Sequence, residues 1–241
     1  MDNPITVCIP TYSTPDINRH LLVCNTVKRL QQNLYYSGLI TYLISYQGIP
    51  IPPGLFDGMN NTTNIPCPDT GFGANLNNLL NNCKTDLIFQ TDDDIELIRP
   101  INLNAHAQKL AEDDTAGWIR LMWIGHHRYI ADLGGGEFPT GDPRNPLDGH
   151  YWRVRWNSPE HYIPSCRPHI KHKRFHDYFG IYPEGLQTGE TENAFCQICK
   201  NKSHAQRGDE KMPMMLIPLM VLLPDDAWRH MGVQSFRIAG V

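Results

Sequence analysis

Short apolar segments alternate with segments of helical periodicity in the first half of the chain. Apolar and β-branched residues predict strands at residues 5–10, 40–46 and 87–91. Apolar residues that recur at helical spacing predict helices at residues 16–36 and 74–83. Strand, helix, strand, helix and strand in this order indicate a parallel sheet whose strands are joined by crossover helices, so we expect an α/β fold.

The remaining segments give weaker signals. Residues 47–70 are rich in Gly, Pro and Asn and predict a long loop after the second strand. In the second half of the chain, Gly, Pro, His and aromatic residues interrupt the periodicity. The pattern therefore assigns elements only to the first half.

Three consecutive aspartates, Asp92, Asp93 and Asp94, follow directly on the third predicted strand. In open α/β sheets, ligands bind beyond the carboxyl ends of the strands. Clustered carboxylates repel one another unless a cation compensates, and Mg²⁺ typically takes one or two carboxylates together with substrate phosphates. The triplet therefore predicts a site for a divalent ion and a nucleoside diphosphate. The alternative is that the aspartates only cap a following helix.

Composition restricts the setting of such a site. The chain has 241 residues, of which 41% are hydrophobic, enough to bury a full core as one domain or two small lobes. Its seven cysteines are scattered and several lie in apolar runs, as reduced buried thiols do, so we expect a cytoplasmic setting. The longest apolar run, residues 212–223, is short and interrupted by Pro213 and Pro218, so we expect no membrane span.

Charge is distributed unevenly. Residues 1–115 hold 12 acidic and 6 basic residues, whereas residues 116–241 hold 13 acidic and 15 basic ones. Basic and aromatic side chains concentrate at residues 144–174, and because such side chains bind phosphates and stack on sugars or bases, we expect an acceptor surface there. The candidate acceptor-binding residues are Trp152, Arg153, Arg155, Trp156, Lys171 and Arg174. The alternative is ordinary solvated surface charge.

Motifs of the first half match a known family. The first strand ends in the run Ile9-Pro10-Thr11-Tyr12. Gly71 lies 21 residues before Asp92 and opens a segment that carries Asn77. In these motifs the chain resembles nucleotide-sugar glycosyltransferases of the GT-A fold and is most similar to family 2. The resemblance covers residues 5–100 and implies a Rossmann-like, mixed but mostly parallel central sheet flanked by helices.

The resemblance also implies a donor site. The matching donor-binding residues are Pro10, Thr11, Tyr12, Gln47, Gly71, Asn77, Asp92 and Asp93. In the D-x-D motif, Asp92 and Asp94 are the motif carboxylates for Mn²⁺ or Mg²⁺, with Asp94 the direct ligand, while Asp93 contacts ribose or metal. Gln47 stands where the family usually has an acid that contacts the base, and Leu76 stands where it commonly has Arg. The donor nucleotide and sugar are therefore left open.

A catalytic base and a further metal ligand are implied in the second half. Inverting members of the family use a carboxylate at the start of a helix, and this chain offers Glu192, which we prefer, and Glu190. Either acid alternatively only complements the helix dipole. In a number of GT-A enzymes a histidine near the C-terminus completes the metal shell, and His230 lies in that region.

These inferences combine into a hypothesis of function. We expect one domain over residues 1–241, with a nucleotide-sugar half at 1–115 and an acceptor half at 116–241. It would be a metal-dependent, inverting glycosyltransferase whose acceptor is a glycan, a metabolite or a hydroxymethylated base of DNA. One alternative is a sugar-nucleotide pyrophosphorylase, although the chain lacks a Gly-rich basic loop after the first strand. The other is a non-catalytic nucleic-acid-binding module that uses the basic aromatic segment alone.

Overall fold

The structure, a computed structural model, describes residues 3–121, 151–153, 164, 166–205, 214–218 and 228–231. Its helices are α1 (His20–Asn33), α2 (Phe72–Asn82), α3 (Asn104–Glu112), α4 (Arg174–Phe179) and α5 (Thr188–Ala205). Its strands are β1 (Ile5–Ser13), β2 (Leu34–Tyr35), β3 (Ile40–Gly48), β4 (Thr62–Pro66), β5 (Leu87–Gln90), β6 (Ile95–Leu97), β7 (Ile101–Asn102), β8 (Ala116–Arg120), β9 (Tyr151–Arg153), β10 (His169–His172), β11 (Met214–Pro218) and β12 (Trp228–His230).

A single large sheet organises these elements, with the strand order β4-β3-β1-β5-β10-β8-β11-β9. Six of its strands run in one direction, and β10 and β9 run in the opposite direction. Two small strand pairs, β12 with β6 and β2 with β7, lie outside it. The expectation of an α/β fold with a mixed, mostly parallel sheet is therefore confirmed.

Two apolar layers cover the two faces of this sheet. Residues alternate between the faces of a strand, so Ile5, Val7 and Ile9 of β1 face one layer while Cys8 faces the other. Helices α1 and α3 pack on the first face, and α2, α4 and α5 pack on the second. Because both faces are covered, β1 is buried from residue 5 to 11, as in parallel sheets of α/β proteins.

The boundaries of the first elements differ in places from the expected ones. Helix α1 begins at His20 and not at residue 16, because Thr14 and Ile17 exchange backbone hydrogen bonds in a turn. The expected loop at residues 47–70 contains β4, which pairs in parallel with β3. The β-branched residues of β4 favour this extended conformation, a signal that the Gly and Pro content of the loop obscured.

Two further observations concern the setting. All seven cysteines have free thiols. In the part of the chain that the structure describes, no helix is long and apolar enough to cross a membrane.

Candidate donor and catalytic site

The acidic triplet lies at the carboxyl end of β5, next to the carboxyl end of β1. Thr91, the residue before the triplet, donates its backbone N–H to the carbonyl of Cys8 at 3.2 Å. After Asp94 the chain continues into β6 and not into a helix, so the alternative that the triplet caps a helix is wrong. The aspartates instead occupy the edge of the sheet where open α/β folds bind ligands.

Asp93 is fixed in the interior by three other side chains. Thr11 donates its hydroxyl to Asp93 Oδ2 at 2.5 Å, and Arg19 Nε donates to the same oxygen at 2.8 Å. Arg19 Nη2 also donates to Asp93 Oδ1, and Thr26 donates its hydroxyl to the Asp93 carbonyl at 2.8 Å. Burial raises the pKa of Asp93, and the contacts of Arg19 and Thr11 act against that rise. Thr11 therefore contributes to the site by holding Asp93.

Arg19 is a site residue that the sequence analysis missed. Besides its two contacts with Asp93, its Nη2 lies 2.8 Å from Asp94 Oδ2. Burial alone would lower the pKa of the Arg19 guanidinium, but the hydrogen bonds and charges of Asp93 and Asp94 raise it. The only signal in the sequence is that Arg19 is the first basic residue after β1, and this signal is weak.

Asp92 differs from its neighbours in that charges of the second half of the chain act on it. Its pKa is raised well above the usual range, first by burial and then by the negative charges of Asp94 and Glu192, while Arg167 lowers it. Asp92 is nevertheless partly exposed, in contrast to Asp93 and Asp94. A carboxyl group in this position gains from any cation that reaches it.

The two candidate bases differ in their surroundings. Cys166 donates its backbone N–H to Glu192 Oε1 at 2.7 Å, and the charge of Glu192 reaches Asp92. Glu190 is exposed, and its Oε2 accepts the backbone N–H of Gln187 at 3.1 Å, which is the capping-box contact of a helix start. The charge of Glu192 therefore acts on the triplet, whereas Glu190 makes a capping contact.

Tyr12 and Gln47 lie side by side at the carboxyl ends of β1 and β3. The Tyr12 side chain is 55% exposed at this edge, as expected of a residue that contacts a ligand. Gln47 is buried, and its Nε2 donates to the carbonyls of Asp69 at 2.5 Å and Gly71 at 3.1 Å. The contacts of Gln47 thus position the loop before α2.

The start of α2 packs closely against the segment that precedes α5. Gly71 has a φ of 96°, and a Cβ on Gly73 would lie 1.9 Å from the carbonyl oxygen of Pro183. Asn77 Nδ2 donates to the Tyr182 carbonyl at 2.9 Å and to Glu184 Oε1 at 2.7 Å, and Asn77 Oδ1 accepts the Tyr182 N–H at 2.9 Å. The amide of Asn77 is therefore engaged within the protein, and the expectation that it binds the donor stays a prediction.

Asn75 is a second residue that the sequence analysis missed. It is buried, and its Nδ2 donates to the Thr11 carbonyl at 2.9 Å, which ties α2 to the end of β1. Asn75 Oδ1 has no hydrogen-bond partner within the described part of the chain. No pattern in the sequence distinguishes Asn75 from the other asparagines of α2.

Two of the candidate acceptor residues, Lys171 and Arg174, are engaged by other parts of the protein. Lys171 is fully buried, and its Nζ donates to Gln90 Oε1 at 2.7 Å and to the Tyr182 hydroxyl at 3.2 Å. Burial lowers the pKa of Lys171 to about 8. Arg174 donates to the carbonyls of Leu110 in α3 and Ala116 at the start of β8. Lys171 thus serves the interior and Arg174 joins α3 to β8, while the expectation that they bind an anionic acceptor stays a prediction.

The other second-half predictions fall partly outside the described residues. Trp152 and Arg153 lie in β9, where the backbone pairs with Ile217 and Leu216 of β11, and their side chains are not among those described. Arg155 and Trp156 lie outside the described residues. The backbone of His230 pairs with Ile95 directly after the triplet, and the next residue, Met231, donates its N–H to the Asp94 carbonyl at 2.7 Å. His230 is therefore beside the triplet along the backbone.

The acidic groups fit a metal ion whose ligands come partly from the protein and partly from a substrate. Among the residues described here, no group of three or more His, Cys, Asp or Glu side chains is arranged to hold a metal ion. Asp92 and Asp94 supply carboxylates, and two carboxylates with phosphate oxygens are a usual ligand set for Mg²⁺. These carboxylate ligands therefore suit a divalent ion that binds together with a diphosphate.

Solved glycosyltransferase structures share this architecture. Residues 1–349 of TarS from S. aureus, in complex with UDP-GlcNAc, match with a TM-score of 0.58 and 14% identity over 95% of this chain and 60% of that chain. The mannosyltransferase PcManGT from Pyrobaculum calidifontis, in complex with GDP-Man and Mn²⁺, matches with a TM-score of 0.58 and 13% identity over 90% of this chain and 55% of that chain.

A longer TarS structure matches with a TM-score of 0.58 and 13% identity over 88% of this chain and 34% of that chain. The chain thus spans between about a third and three fifths of the length of these proteins. No protein-family model and no curated protein sequence matches it. The sheet order and the structural matches show that the chain has a GT-A fold, like that of nucleotide-sugar glycosyltransferases.

Proposed function

We propose that the protein is a metal-dependent glycosyltransferase that moves a sugar from a nucleoside-diphosphate sugar to an acceptor hydroxyl. The observation that carries the proposal is the acidic triplet at the carboxyl end of β5, beside the end of β1, where the negative charge of Glu192, on α5, adds to the rise in the pKa of Asp92. The two acids come from opposite halves of the chain. They supply the two functions that such a transfer needs, which are a place for the diphosphate and its cation and a carboxylate for the acceptor.

The donor would lie across the carboxyl ends of β1, β3 and β5. Tyr12 offers an exposed aromatic ring for a base or ribose, and the aspartates lie directly beside it through the contact of Thr11 with Asp93. TarS was solved with UDP-GlcNAc and PcManGT with GDP-Man and Mn²⁺, which supports a donor of this class without choosing the nucleotide.

Asp92 and Asp94 would hold Mn²⁺ or Mg²⁺, with His230 as a candidate further ligand. When bound, such an ion stabilises the negative charge that develops on the departing diphosphate. Two of the three carboxylates, those of Asp93 and Asp94, are buried and therefore have little contact with water. Asp93 is held by Arg19 and Thr11, so it positions the loop and is not proposed as a ligand.

Glu192 would act as the general base. The Cys166 N–H holds one carboxylate oxygen and fixes its orientation, and the carboxylate takes the proton of the acceptor hydroxyl as that oxygen attacks the anomeric carbon. The bond from the anomeric carbon to the diphosphate oxygen breaks on the opposite face, and the nucleoside diphosphate leaves. A single displacement of this kind inverts the anomeric configuration. The acceptor class stays a prediction among a glycan, a metabolite and modified DNA.

Calorimetric titration with UDP, GDP and TDP, with and without Mn²⁺, tests the proposal. We expect one diphosphate to bind in a metal-dependent manner. In a separate assay of sugar transfer, we expect Asp94→Asn to abolish the activity, because it removes a negative charge at nearly constant side-chain volume. Asp114→Asn is the matched control, because the Asp114 side chain is 95% exposed and lies away from the triplet. A pure nucleic-acid-binding module would show no metal-dependent diphosphate affinity. Full turnover in Asp94→Asn, or a product of retained configuration by NMR, would contradict the assigned roles.

A further inference from the structure

A cation of the protein itself already lies among the aspartates. The Arg19 guanidinium donates Nε and Nη2 to the two oxygens of Asp93, and the same Nη2 lies 2.8 Å from Asp94 Oδ2. Planar, bidentate pairing of this kind is the strongest form of arginine–carboxylate contact. One positive charge is therefore shared between a carboxylate that holds the loop and a carboxylate that is a proposed metal ligand.

The Asp93 contacts anchor the Arg19 side chain. Its backbone N–H donates to Ser13 Oγ at 3.1 Å, so the start of α1 is tied to the end of β1. The guanidinium holds Asp93 through two nitrogens and approaches Asp94 through Nη2 alone, so the pair with Asp93 stays intact if the contact between Nη2 and Asp94 opens. The contact with Asp94 is thus the one that a competing cation can replace.

The local charges make that replacement depend on the donor. A divalent ion that approaches Asp94 meets the positive charge of Arg19 within a few ångströms, in a site with little water to screen the repulsion. A nucleoside diphosphate brings negative charges that attract both the ion and the guanidinium. The Arg19 side chain is 17% exposed, so it remains accessible to such an anion.

We propose that Arg19 is the counter-cation of the donor-free site. Its ion pair with Asp94 keeps the affinity for the metal ion low until a nucleoside diphosphate binds. This inference rests on the proposed function. Arg19 acts through Asp94 and Asp93 and is a positioning residue. Because binding couplings are reciprocal, the metal strengthens diphosphate binding by the same factor by which the diphosphate strengthens metal binding.

Electron paramagnetic resonance of Mn²⁺ tests the inference without an activity measurement. We expect the wild-type protein to bind Mn²⁺ at least roughly tenfold more tightly with UDP or GDP than without, within the usual range of coupling between two ligands. In Arg19→Gln, Mn²⁺ binding without nucleotide should become about tenfold tighter, and the gain from nucleotide should shrink correspondingly.

Arg29→Gln is the matched control. Arg29 lies in α1, the helix that Arg19 precedes, and its Nε pairs with buried Glu96 at 2.6 Å, so the variant also takes an arginine from a buried carboxylate, in this case one that is not a proposed metal ligand. Its Mn²⁺ affinity should equal that of the wild type. Arg19→Lys keeps a charge for Asp93 but loses the planar group that reaches both carboxylates, and its nucleotide-free Mn²⁺ affinity should fall between those of wild type and Arg19→Gln.

The outcomes separate this inference from the proposed function. If diphosphates bind with Mn²⁺ but Arg19→Gln and Arg19→Lys have the nucleotide-free Mn²⁺ affinity of the wild type, the role of Arg19 is wrong and the proposed function stands. If Arg19→Gln does not fold, wild-type affinity in Arg19→Lys is sufficient to overturn it. If no diphosphate binds to the wild type, the proposed function fails, and the nucleotide-free affinities still report on Arg19.

Discussion

Neighbouring side chains of the same type have different surroundings at this site. Asp93 is bound by Arg19 and Thr11, while Asp92, one residue earlier, is under the influence of the negative charges of Asp94 and Glu192. Glu192 and Glu190, two residues apart, differ in the same way, because the first reaches Cys166 and the second caps its own helix. At this scale, the partner of each carboxylate, and not its residue type, indicates its role.

The two glutamates give a direct test of the catalytic base. Glu192→Gln should lower kcat by about 10²- to 10⁴-fold, because an amide still accepts the Cys166 N–H but cannot take a proton. Donor affinity, measured by titration, should change little. Glu190→Gln is the control, since Gln at this position also satisfies the capping contact. An equal loss of kcat in both variants would contradict the choice of Glu192.

At the scale of elements, the site depends on how closely α2 approaches the segment before α5. Gly73 allows the helix to touch the Pro183 carbonyl, and Asn77 joins the two segments by three hydrogen bonds. The same helix is tied to β1 by Asn75. Through these contacts, α2 joins the end of β1, which lies beside the triplet, to the segment that leads into α5.

Adding one methyl group tests this arrangement. Gly73→Ala should lower the free energy of unfolding by about 2 kcal/mol or more, because its Cβ would overlap the Pro183 carbonyl. Gly189→Ala is the control, since nothing lies within 4 Å of a Cβ there, and in helix α5 it should stabilise by roughly 0.5–1 kcal/mol. Urea unfolding measures both. Equal stability of the two variants would contradict the close approach.

At the scale of the whole molecule, the face of the sheet under α2, α4 and α5 contains buried titratable rings. The rings of His169 and Trp118 stack with their centroids 3.7 Å apart, and those of His176 and Phe195 stack with their centroids 5.6 Å apart. Burial, together with the charge of Lys171, lowers the pKa of both histidines well below the usual range. The folded protein therefore keeps both rings neutral at a pH where the unfolded chain takes up protons.

This difference predicts a loss of stability in mild acid. The contribution of the two neutral histidines to the free energy of unfolding is fully present above the pKa of about 6.5 that they have in the unfolded chain. It is lost as pH falls below that value, by at most about 1.4 kcal/mol per pH unit for each histidine. His176→Asn cannot titrate, and its amide can still donate to the Gly180 carbonyl that His176 Nδ1 contacts at 2.9 Å. When the free energy of unfolding is measured by urea between pH 7 and pH 5, its decrease with falling pH should be less steep for His176→Asn than for the wild type.

His172 provides the comparison for that slope. It is only partly buried, so His172→Asn should change the pH dependence less than His176→Asn does. Absolute stability is expected to fall in His176→Asn because of the lost ring contacts, and the slope is the informative quantity. A slope identical to that of the wild type in His176→Asn would show that the ring is protonated in the folded state.

The sequence by itself determined the order and direction of β1, β3 and β5 and the place of the triplet at their carboxyl ends. Apolar periodicity and chain direction are local properties, and a strand–helix–strand unit has a strong preference for one handedness. Motif spacing also indicated Tyr12, Asp92 and Glu192, which the structure places at or toward the same edge of the sheet. Their chemical roles stay predictions.

Only the tertiary structure decided which partners these residues meet. Strand β10 runs antiparallel beside β5, and this register buries Lys171 against Gln90 instead of exposing it to an acceptor. Arg19 meets Asp93 and Asp94 because the turn after β1 brings the start of α1 to the end of β5. Such contacts join residues that are distant in the sequence, and they depend on strand register and helix packing, which local patterns of apolar and polar residues do not encode.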